Sequence, residues 1–125
     1  MLRNNDAVAT IAVSDLKKAR MFYEGKLGLQ SLDGEEPGVI TYATGRSTLF
    51  IYESQHAGTN KATAATWVVG DGIAGVVRDL KANGVAFERY DFPGTTMEGD
   101  VHVTGAIKAA WFKDPDGNIH AVVNG

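Results

Sequence analysis

The sequence has no cysteine, so the chain can form neither a disulfide nor a thiolate metal site. It also has no apolar run approaching the roughly 20 residues that a membrane-spanning helix needs. Its first residues, Met1-Leu2-Arg3-Asn4-Asn5-Asp6, are polar and do not resemble the start of a signal peptide. These absences predict a cytoplasmic protein that does not enter a membrane.

A cluster of positive charge is missing as well. The 12 Lys and Arg residues are scattered along the chain, and the net charge is −3. A protein that binds nucleic acid usually concentrates basic residues on one surface, so nucleic acid is not an expected partner. With 125 residues, 44% of them hydrophobic, the chain is predicted to be a single domain, residues 1–125, with one packed core.

What the chain does contain is a repeat. Asp71 lies 56 residues after Asp15, and Gly84 lies the same distance after Gly28. A period of this length indicates a duplicated supersecondary unit whose two copies share a core. We therefore divide the chain into module one (1–55), a linker (56–63) and module two (64–125), and expect the functional site between the modules.

Each module has the periodicity of a βαβββ unit. In module one, a strand over 7–13 leads into a helix from an N-cap at Ser14 to Leu27, with Gly28 as its C-terminal glycine. Strands are then predicted over 29–33, 39–44 and 48–53, with a turn at Asp33-Gly34. Module two repeats this order with strands over 64–69, 85–91, 108–113 and 118–123 and a helix from Asp71 to Asn83. The long segment 92–106 is predicted to be a lid.

These patterns resemble the vicinal oxygen chelate superfamily, which includes glyoxalase I, extradiol dioxygenases and bleomycin resistance proteins. The resemblance is carried by Val13-Ser14-Asp15-Leu16, Phe22-Tyr23, Leu27-Gly28-Leu29 and the segment Trp111-Phe112-Lys113-Asp114-Pro115-Asp116-Gly117-Asn118. It implies an α+β fold in which two βαβββ modules form a cup-shaped, curled mixed sheet. The helices would lie outside the cup, a small-molecule ligand would lie within, and the protein would be a homodimer.

The resemblance also implies a divalent metal held by His, Gln or Glu at four equivalent positions inside the cup. In this sequence those positions are Val8, Ala64, Ala121 and either Leu49 or Ile51. Because aliphatic side chains have no lone pair to donate, no metal cofactor is expected, although a divalent metal bound in another way stays open. The resemblance then favours the metal-free branch, whose bleomycin resistance proteins sequester a drug. The chain is thus predicted to bind a hydrophobic or aromatic compound.

The predicted ligand-binding residues share the cup face, defined here as the sheet face that points away from the helices. Strand alternation places Thr10 and Thr66 there and turns His120 toward the helices. Trp111 is the preferred aromatic anchor, with Tyr42, Phe87 and Tyr90 as further rings that could stack on a planar ligand. The complete predicted set is Thr10, Tyr42, Leu49, Ile51, Thr66, Trp111 and Ala121.

Two other functions stay open. The chain could be a lyase, isomerase or dioxygenase-like enzyme that uses Glu53 or His102, or a metal bound atypically by His56, His102 and His120. It could instead be a non-catalytic interaction protein whose cup is filled by its own side chains. The run Ala57-Gly58-Thr59-Asn60-Lys61-Ala62-Thr63 lacks the spacing of a phosphate-binding loop, so it is interpreted as linker only.

Overall fold

A computed structural model of the chain describes residues 1–32 and 37–125. These residues form two α-helices and ten strands. The strands are β1 (Ala9–Val13), β2 (Gln30–Ser31), β3 (Val39–Thr44), β4 (Ser47–Glu53), β5 (Thr63–Val68), β6 (Phe87–Glu88), β7 (Thr96–Glu98), β8 (Val101–Thr104), β9 (Ile107–Lys113) and β10 (Ile119–Val123). The helices are α1 (Leu16–Arg20), which continues as a π-helical segment (Met21–Lys26), and α2 (Ile73–Ala82), which follows a 3₁₀ turn (Gly70–Gly72).

The strands form two mixed sheets. The first has the order β1-β4-β3-β2, and the second has the order β5-β10-β9-β8-β7 with β6 also paired to β9. Each sheet contains one parallel pair, β1 with β4 in the first sheet and β5 with β10 in the second. The next pair in each sheet, β4 with β3 or β10 with β9, is antiparallel. Strands β1 and β5 lie at the ends of their sheets and contact each other. The α+β fold with curled sheets that the sequence predicts is confirmed.

The two predicted helices are present, but their first turns differ from the expectation. Asp15, not Ser14, caps α1, because its carboxylate accepts from the backbone N–H groups of Lys17 at 2.8 Å and Lys18 at 3.3 Å. The Ser14 N–H instead donates to the carboxylate of Asp116 in module two. Gly28 and Gly84 follow the helices with φ of +74° and +91°, which is the left-handed geometry that a helix-ending glycine supplies.

The segment predicted to be a lid is part of the second sheet. Residues 96–98 and 101–104 form the β7–β8 hairpin, and β8 pairs with β9 through His102 and Ala109. Among its described residues, the strand predicted over 29–33 pairs regularly at Gln30–Ser31 only, and the strand predicted over 85–91 pairs regularly at Phe87–Glu88 only. The turn predicted at Asp33-Gly34 lies outside the described residues.

The core fills the space between the helices and one face of each sheet, which we call the core face. Buried side chains from both sheets and both helices form one cluster, including Ile11, Phe22, Ile51, Val77 and Phe112. Trp67, Val76 and Leu80 pack against its margin. In the part of the chain that the structure describes, neither helix is long and apolar enough to span a membrane.

Candidate functional site

Strand register decides which predicted site residues reach the cup face. In β1, Ile11 and Val13 are buried in the core while Thr10 is exposed, as alternation predicts. The partner strand β4 pairs Leu49 with Ala9 and Ile51 with Ile11. Because paired residues project to the same side of a sheet, Leu49 and Ile51 face the core.

The predicted positions of three ligand-binding residues are therefore wrong. Leu49 and Ile51 are at most 2% exposed, and Tyr42, which pairs with Leu49, is fully buried against Tyr23. The cup face of β4 carries Phe50 and Tyr52 instead. Phe87 is also on the core face, where its ring packs edge-on against that of Phe112.

Three other predicted residues are brought together in one cross-strand row. Ala121 pairs with Thr66 on one side and with Trp111 on the other. Trp111 in turn pairs with Glu88 of β6. Thr10 occupies the equivalent row of the first sheet, where it pairs with Phe50. Of this row, Trp111 lines the cavity described below, whereas Thr66 and Ala121 do not.

Beside this row, four rings form a compact aromatic cluster: Tyr90, Phe92, His102 and Trp111. Trp111 lies 5.4 Å from Tyr90, 5.7 Å from Phe92 and 4.9 Å from His102, measured between ring centroids. The contacts with Tyr90 and His102 are edge-to-face, a geometry that aromatic quadrupoles favour. The Trp111 ring is only half-buried, so part of it stays available to a ligand.

An open cavity of about 520 Å³ lies against this aromatic cluster. Its lining residues come from the linker, the start of β5, the segment after β6, strands β9 and β10, and the turn between these two strands. They are Gly58, Asn60, Lys61, Ala62, Thr63, Tyr90, Phe92, Trp111, Lys113, Gly117 and Ile119. A cavity of this size falls in the range of small-molecule sites, which combine apolar walls with a few polar groups.

The linker wall of the cavity passes close to the turn between β9 and β10 at Gly58. This residue has φ of +75°, and a Cβ at this position would overlap the backbone carbonyl of Asp116. Glycine is therefore the residue that lets the linker approach the turn between β9 and β10. This close approach places Asn60 and Lys61 opposite the aromatic cluster.

His102 supports the cluster from behind and does not line the cavity. It is 2% exposed, and its Nε2 accepts a 2.9 Å hydrogen bond from the backbone N–H of Tyr90. An accepting Nε2 puts the proton of the neutral imidazole on Nδ1. Nδ1 is buried and has no hydrogen-bond partner within residues 1–32 and 37–125. The ring thus fixes Tyr90 and packs against Trp111.

Glu53 lies apart from this site. It is exposed at the end of β4 and lines a separate cavity together with Ser14, Ser54, Gln55 and Ala57. Its register partner is the core residue Val13, so Glu53 does not project from the cup face. The structure does not bring the two candidate catalytic residues, Glu53 and His102, into one cavity.

His120 faces the core, as alternation predicts, and belongs to a buried hydrogen-bonded chain. Trp67 Nε1–H donates to its Nδ1 at 3.0 Å, and its Nε2 contacts the hydroxyl of Tyr23 at 3.0 Å. Tyr23 donates to Asp114 Oδ2 at 2.7 Å. Since an indole N–H can only donate, the chain runs from Trp67 through His120 and Tyr23 to Asp114.

Burial sets the protonation states in this chain. It lowers the pKa of His120 from 6.5 to about 4, which keeps the imidazole neutral. Burial, followed by the nearby charge of Asp114, raises the pKa of Tyr23, which keeps its hydroxyl protonated. This series of hydrogen bonds joins the π-helical segment after α1 to strands β5 and β10, and so connects module one to module two.

The residues present do not fit the metal that the resemblance implies. The side chains of Val8, Ala64 and Ala121 offer no donor atom. Thr10 and Thr66 are equivalent positions of the repeat; Thr10 pairs with Phe50 and Thr66 pairs with Ala121. Phe50 is therefore the module-one equivalent of Ala121. The fourth position is thus Phe50 and not Leu49 or Ile51. Across the described residues, no group of three or more His, Asp or Glu side chains is placed to hold a metal ion.

Sequence reasoning missed Phe92, Lys61 and Lys113 as members of the site. Lys113 stands two residues after Trp111 on β9, so strand alternation could have found it. Phe92 has the same relation to Tyr90, but it fell in the segment predicted to be a lid. Lys61 was assigned to a linker, and only the tertiary approach at Gly58 brings it to the cavity.

Comparison with known proteins agrees with this architecture. A family model described as "Glyoxalase/Bleomycin resistance protein/Dioxygenase superfamily" matches residues 6–121. A search of curated proteins finds no match.

Solved structures with similar folds include proteins of different functions. A bleomycin resistance determinant encoded on the transposon Tn5 has 17% identity and a TM-score of 0.71, with 98% of each chain covered. Lactoylglutathione lyase from Agrobacterium tumefaciens has 16% identity and a TM-score of 0.69, covering 96% of this chain and 92% of its own. The fosfomycin resistance protein FosX from Listeria monocytogenes has 16% identity and a TM-score of 0.67, covering 100% and 93%.

Proposed function

Because the chain belongs to the glyoxalase/bleomycin resistance protein/dioxygenase superfamily, we propose that it binds a planar, largely apolar small molecule in the cavity beside Trp111, without a bound metal. The observation that carries this proposal is the aromatic cluster itself. Tyr90, Phe92 and Trp111 all line one open cavity on the cup face. Exposed ring faces of this kind bind flat ligands through apolar contact and offset stacking.

Two features favour binding over the alternatives. The cup face of module two holds an open cavity and is not filled by its own side chains, which argues against an interaction protein with a packed cup. The candidate bases Glu53 and His102 do not line this cavity, which argues against catalysis by either. The lactoylglutathione lyase structure shows that an enzyme shares the fold, so the proposal rests on the cavity and not on the fold.

Binding of naphthalene-2-methanol, a neutral planar probe, tests the proposal. The chain has two tryptophans, so its NMR spectrum has two indole N–H signals. Trp111 lies at the cavity and Trp67 in the hydrogen-bonded chain of the core. We expect the probe to shift the Trp111 signal while leaving that of Trp67 nearly unchanged.

Two variants locate the binding. Trp111→Ala should weaken it about 10-fold, since an aromatic contact contributes on the order of 1 kcal/mol beyond the apolar area buried. Tyr52→Ala is the matched control, because Tyr52 is a partly exposed aromatic residue of β4 that does not line the cavity. Equal loss in both variants, or loss on treatment with EDTA that added metal reverses, would contradict the proposal.

The homodimer stays a prediction. Exposed apolar side chains at Val68 and Ile107, 70% and 63% exposed, support it, since a second copy could cover them. Sedimentation equilibrium of the wild type and of Val68→Glu tests it. A wild type that remains monomeric at high micromolar concentration would refute it.

A further inference from the structure

The cavity beside Trp111 differs in charge from the chain as a whole. The net charge of the chain is −3, yet the two charged residues that line the cavity, among those described, are both lysines. The other polar lining groups are neutral. A ligand in this cavity therefore meets local positive charge next to an aromatic wall.

The two lysines reach the cavity from different elements. Lys113 stands two positions from Trp111 on β9, so both side chains project from the cup face. Lys61 comes from the linker that Gly58 holds against the turn between β9 and β10. The two ammonium groups thus belong to separate walls of the same cavity.

The two lysines are not equally available to a ligand. Lys113 Nζ lies 3.3 Å from a carboxylate oxygen of Glu88, which offsets part of its charge. Lys61 is exposed and makes no salt bridge with any residue of 1–32 or 37–125. Lys61 should therefore provide most of the electrostatic attraction for an anionic ligand, because the ion pair with Glu88 weakens the attraction that Lys113 exerts.

We propose that the cavity selects planar ligands that carry an anionic group, such as a carboxylate, and that Lys61 and Lys113 determine this selectivity. This inference rests on the proposed function, because it assumes that a planar ligand stacks beside Trp111. The aromatic cluster would hold the ring of the ligand, and the lysines would bind its charged substituent.

A pair of probes with the same ring system separates the two ideas. Naphthalene-2-carboxylate carries the charge, and naphthalene-2-methanol is its neutral counterpart. At 50 mM salt we expect the carboxylate to bind about 5-fold more tightly, and at 500 mM salt we expect this preference to fall to about 2-fold, because salt screens exposed charges. Affinities are measured by calorimetry and by the Trp111 indole signal.

Two substitutions should change the affinity for the carboxylate probe in opposite directions. Lys61→Gln should weaken its binding about 3-fold, whereas Glu88→Gln should strengthen it by about 2-fold by freeing Lys113, effects typical of partly exposed charges. The effect of each substitution on the neutral probe should be smaller than its effect on the carboxylate probe. Lys17→Gln, on the exposed surface of α1, is the control for a general change in net charge.

The outcomes are distinguishable. Equal affinities for the two probes, with both shifting the Trp111 signal, would overturn the selectivity but leave the proposed function intact. Failure of both probes to bind would overturn both. A loss in Lys17→Gln as large as in Lys61→Gln would assign the preference to overall charge and overturn the role of the cavity lysines.

Discussion

Two histidines of this protein are buried to nearly the same degree on opposite faces of one sheet, but their surroundings differ. His120, on the core face, is fully buried and has a partner for each ring nitrogen. His102, on the cup face, is 2% exposed, and its Nδ1 has no partner among the described residues. Leaving a buried donor without a partner costs about 1–3 kcal/mol.

The difference separates a region that stabilises the fold from a region that forms a site. Around His120, Asp114 accepts from Tyr23 and Asn118, and Asn118 also donates to the Ala12 carbonyl of β1. Apart from the Trp67–His120 bond, which lies within module two, these bonds join the two modules or close the turn between β9 and β10. Around His102, ring contacts replace most hydrogen bonds, and one side of the aromatic cluster borders the open cavity.

The largest expected effect comes from His120→Leu. This change leaves the indole N–H of Trp67 without an acceptor, and it removes the hydrogen bond that the Tyr23 hydroxyl accepts from Nε2–H of His120. It also removes the stacking of the His120 ring on Phe112, whose centroids are 4.9 Å apart. With two buried groups affected, the free energy of unfolding should fall by about 4 kcal/mol. Urea unfolding at pH 7.5 measures it.

His56→Leu is the control, since His56 is exposed in the linker and its replacement should change stability by less than about 0.5 kcal/mol. A loss below about 1 kcal/mol in His120→Leu would show that the hydrogen-bonded chain contributes little to stability.

The next effect is the pH dependence that His120 confers. Its pKa is about 4 in the folded protein against 6.5 as the ordinary value, so between these values the unfolded state binds a proton that the folded state does not. Stability is therefore complete above about pH 6.5 and is lost as the pH falls toward 4, by about 3 kcal/mol.

Comparison with His120→Gln isolates this contribution from that of the carboxylates. The wild type should lose about 3 kcal/mol more than the variant between pH 7 and pH 4, because glutamine does not titrate. Parallel stability curves for the two proteins would contradict the assignment.

A smaller effect on stability is expected from the same substitution on the cup face. His102→Leu removes the acceptor for the Tyr90 N–H but also removes the unpartnered Nδ1–H. These terms oppose each other, so the free energy of unfolding should change by no more than about 1 kcal/mol. Binding of naphthalene-2-methanol should fall about 3-fold, because Tyr90 loses its anchor beside Trp111.

His102→Gln sharpens this test, since an amide oxygen can still accept from the Tyr90 N–H. It should bind the probe more tightly than His102→Leu does. If His102→Leu costs as much stability as His120→Leu, the two histidines have the same role, and the contrast between the faces fails.

Sequence patterns located most of the fold but only part of the site. Strand β3 has the predicted bounds, Val39–Thr44, because β-branched residues are flanked by glycine turns. Orientation was predictable in β1, where Thr10 and Ile11 differ clearly in polarity. It was not predictable in β4, whose run Leu49-Phe50-Ile51-Tyr52 is apolar at each position, so only the register with β1 fixes its faces.

The rest of the site depends on tertiary structure. The β7–β8 hairpin was not recognised because Thr96–Glu98 and Val101–Thr104 are short, although the Gly99-Asp100 pair between them is typical of a hairpin turn. Because β8 was not predicted, His102 was expected in the lid segment 92–106 and not in a buried strand. Lys61 is far from Trp111 in the chain, and no periodicity connects them.

The smallest expected effect is that of added metal. Phe50, Ala64 and Ala121 have no donor atoms at the positions where the family would place ligands. The two buried histidines cannot replace them, because they face opposite sides of the second sheet and both nitrogens of His120 are engaged. Zn²⁺, Mn²⁺, Ni²⁺ and Fe²⁺ should therefore shift the Tm by less than about 1 °C relative to EDTA, since only ligands that bind the native state selectively stabilise it.

His56→Ala controls for weak coordination at the exposed linker histidine. A saturable rise in Tm with one metal per chain would contradict this prediction. His102 would then either give up its hydrogen bond with the Tyr90 N–H or coordinate the metal through Nδ1. The NMR signal of the Tyr90 amide would shift strongly in the first case and little in the second.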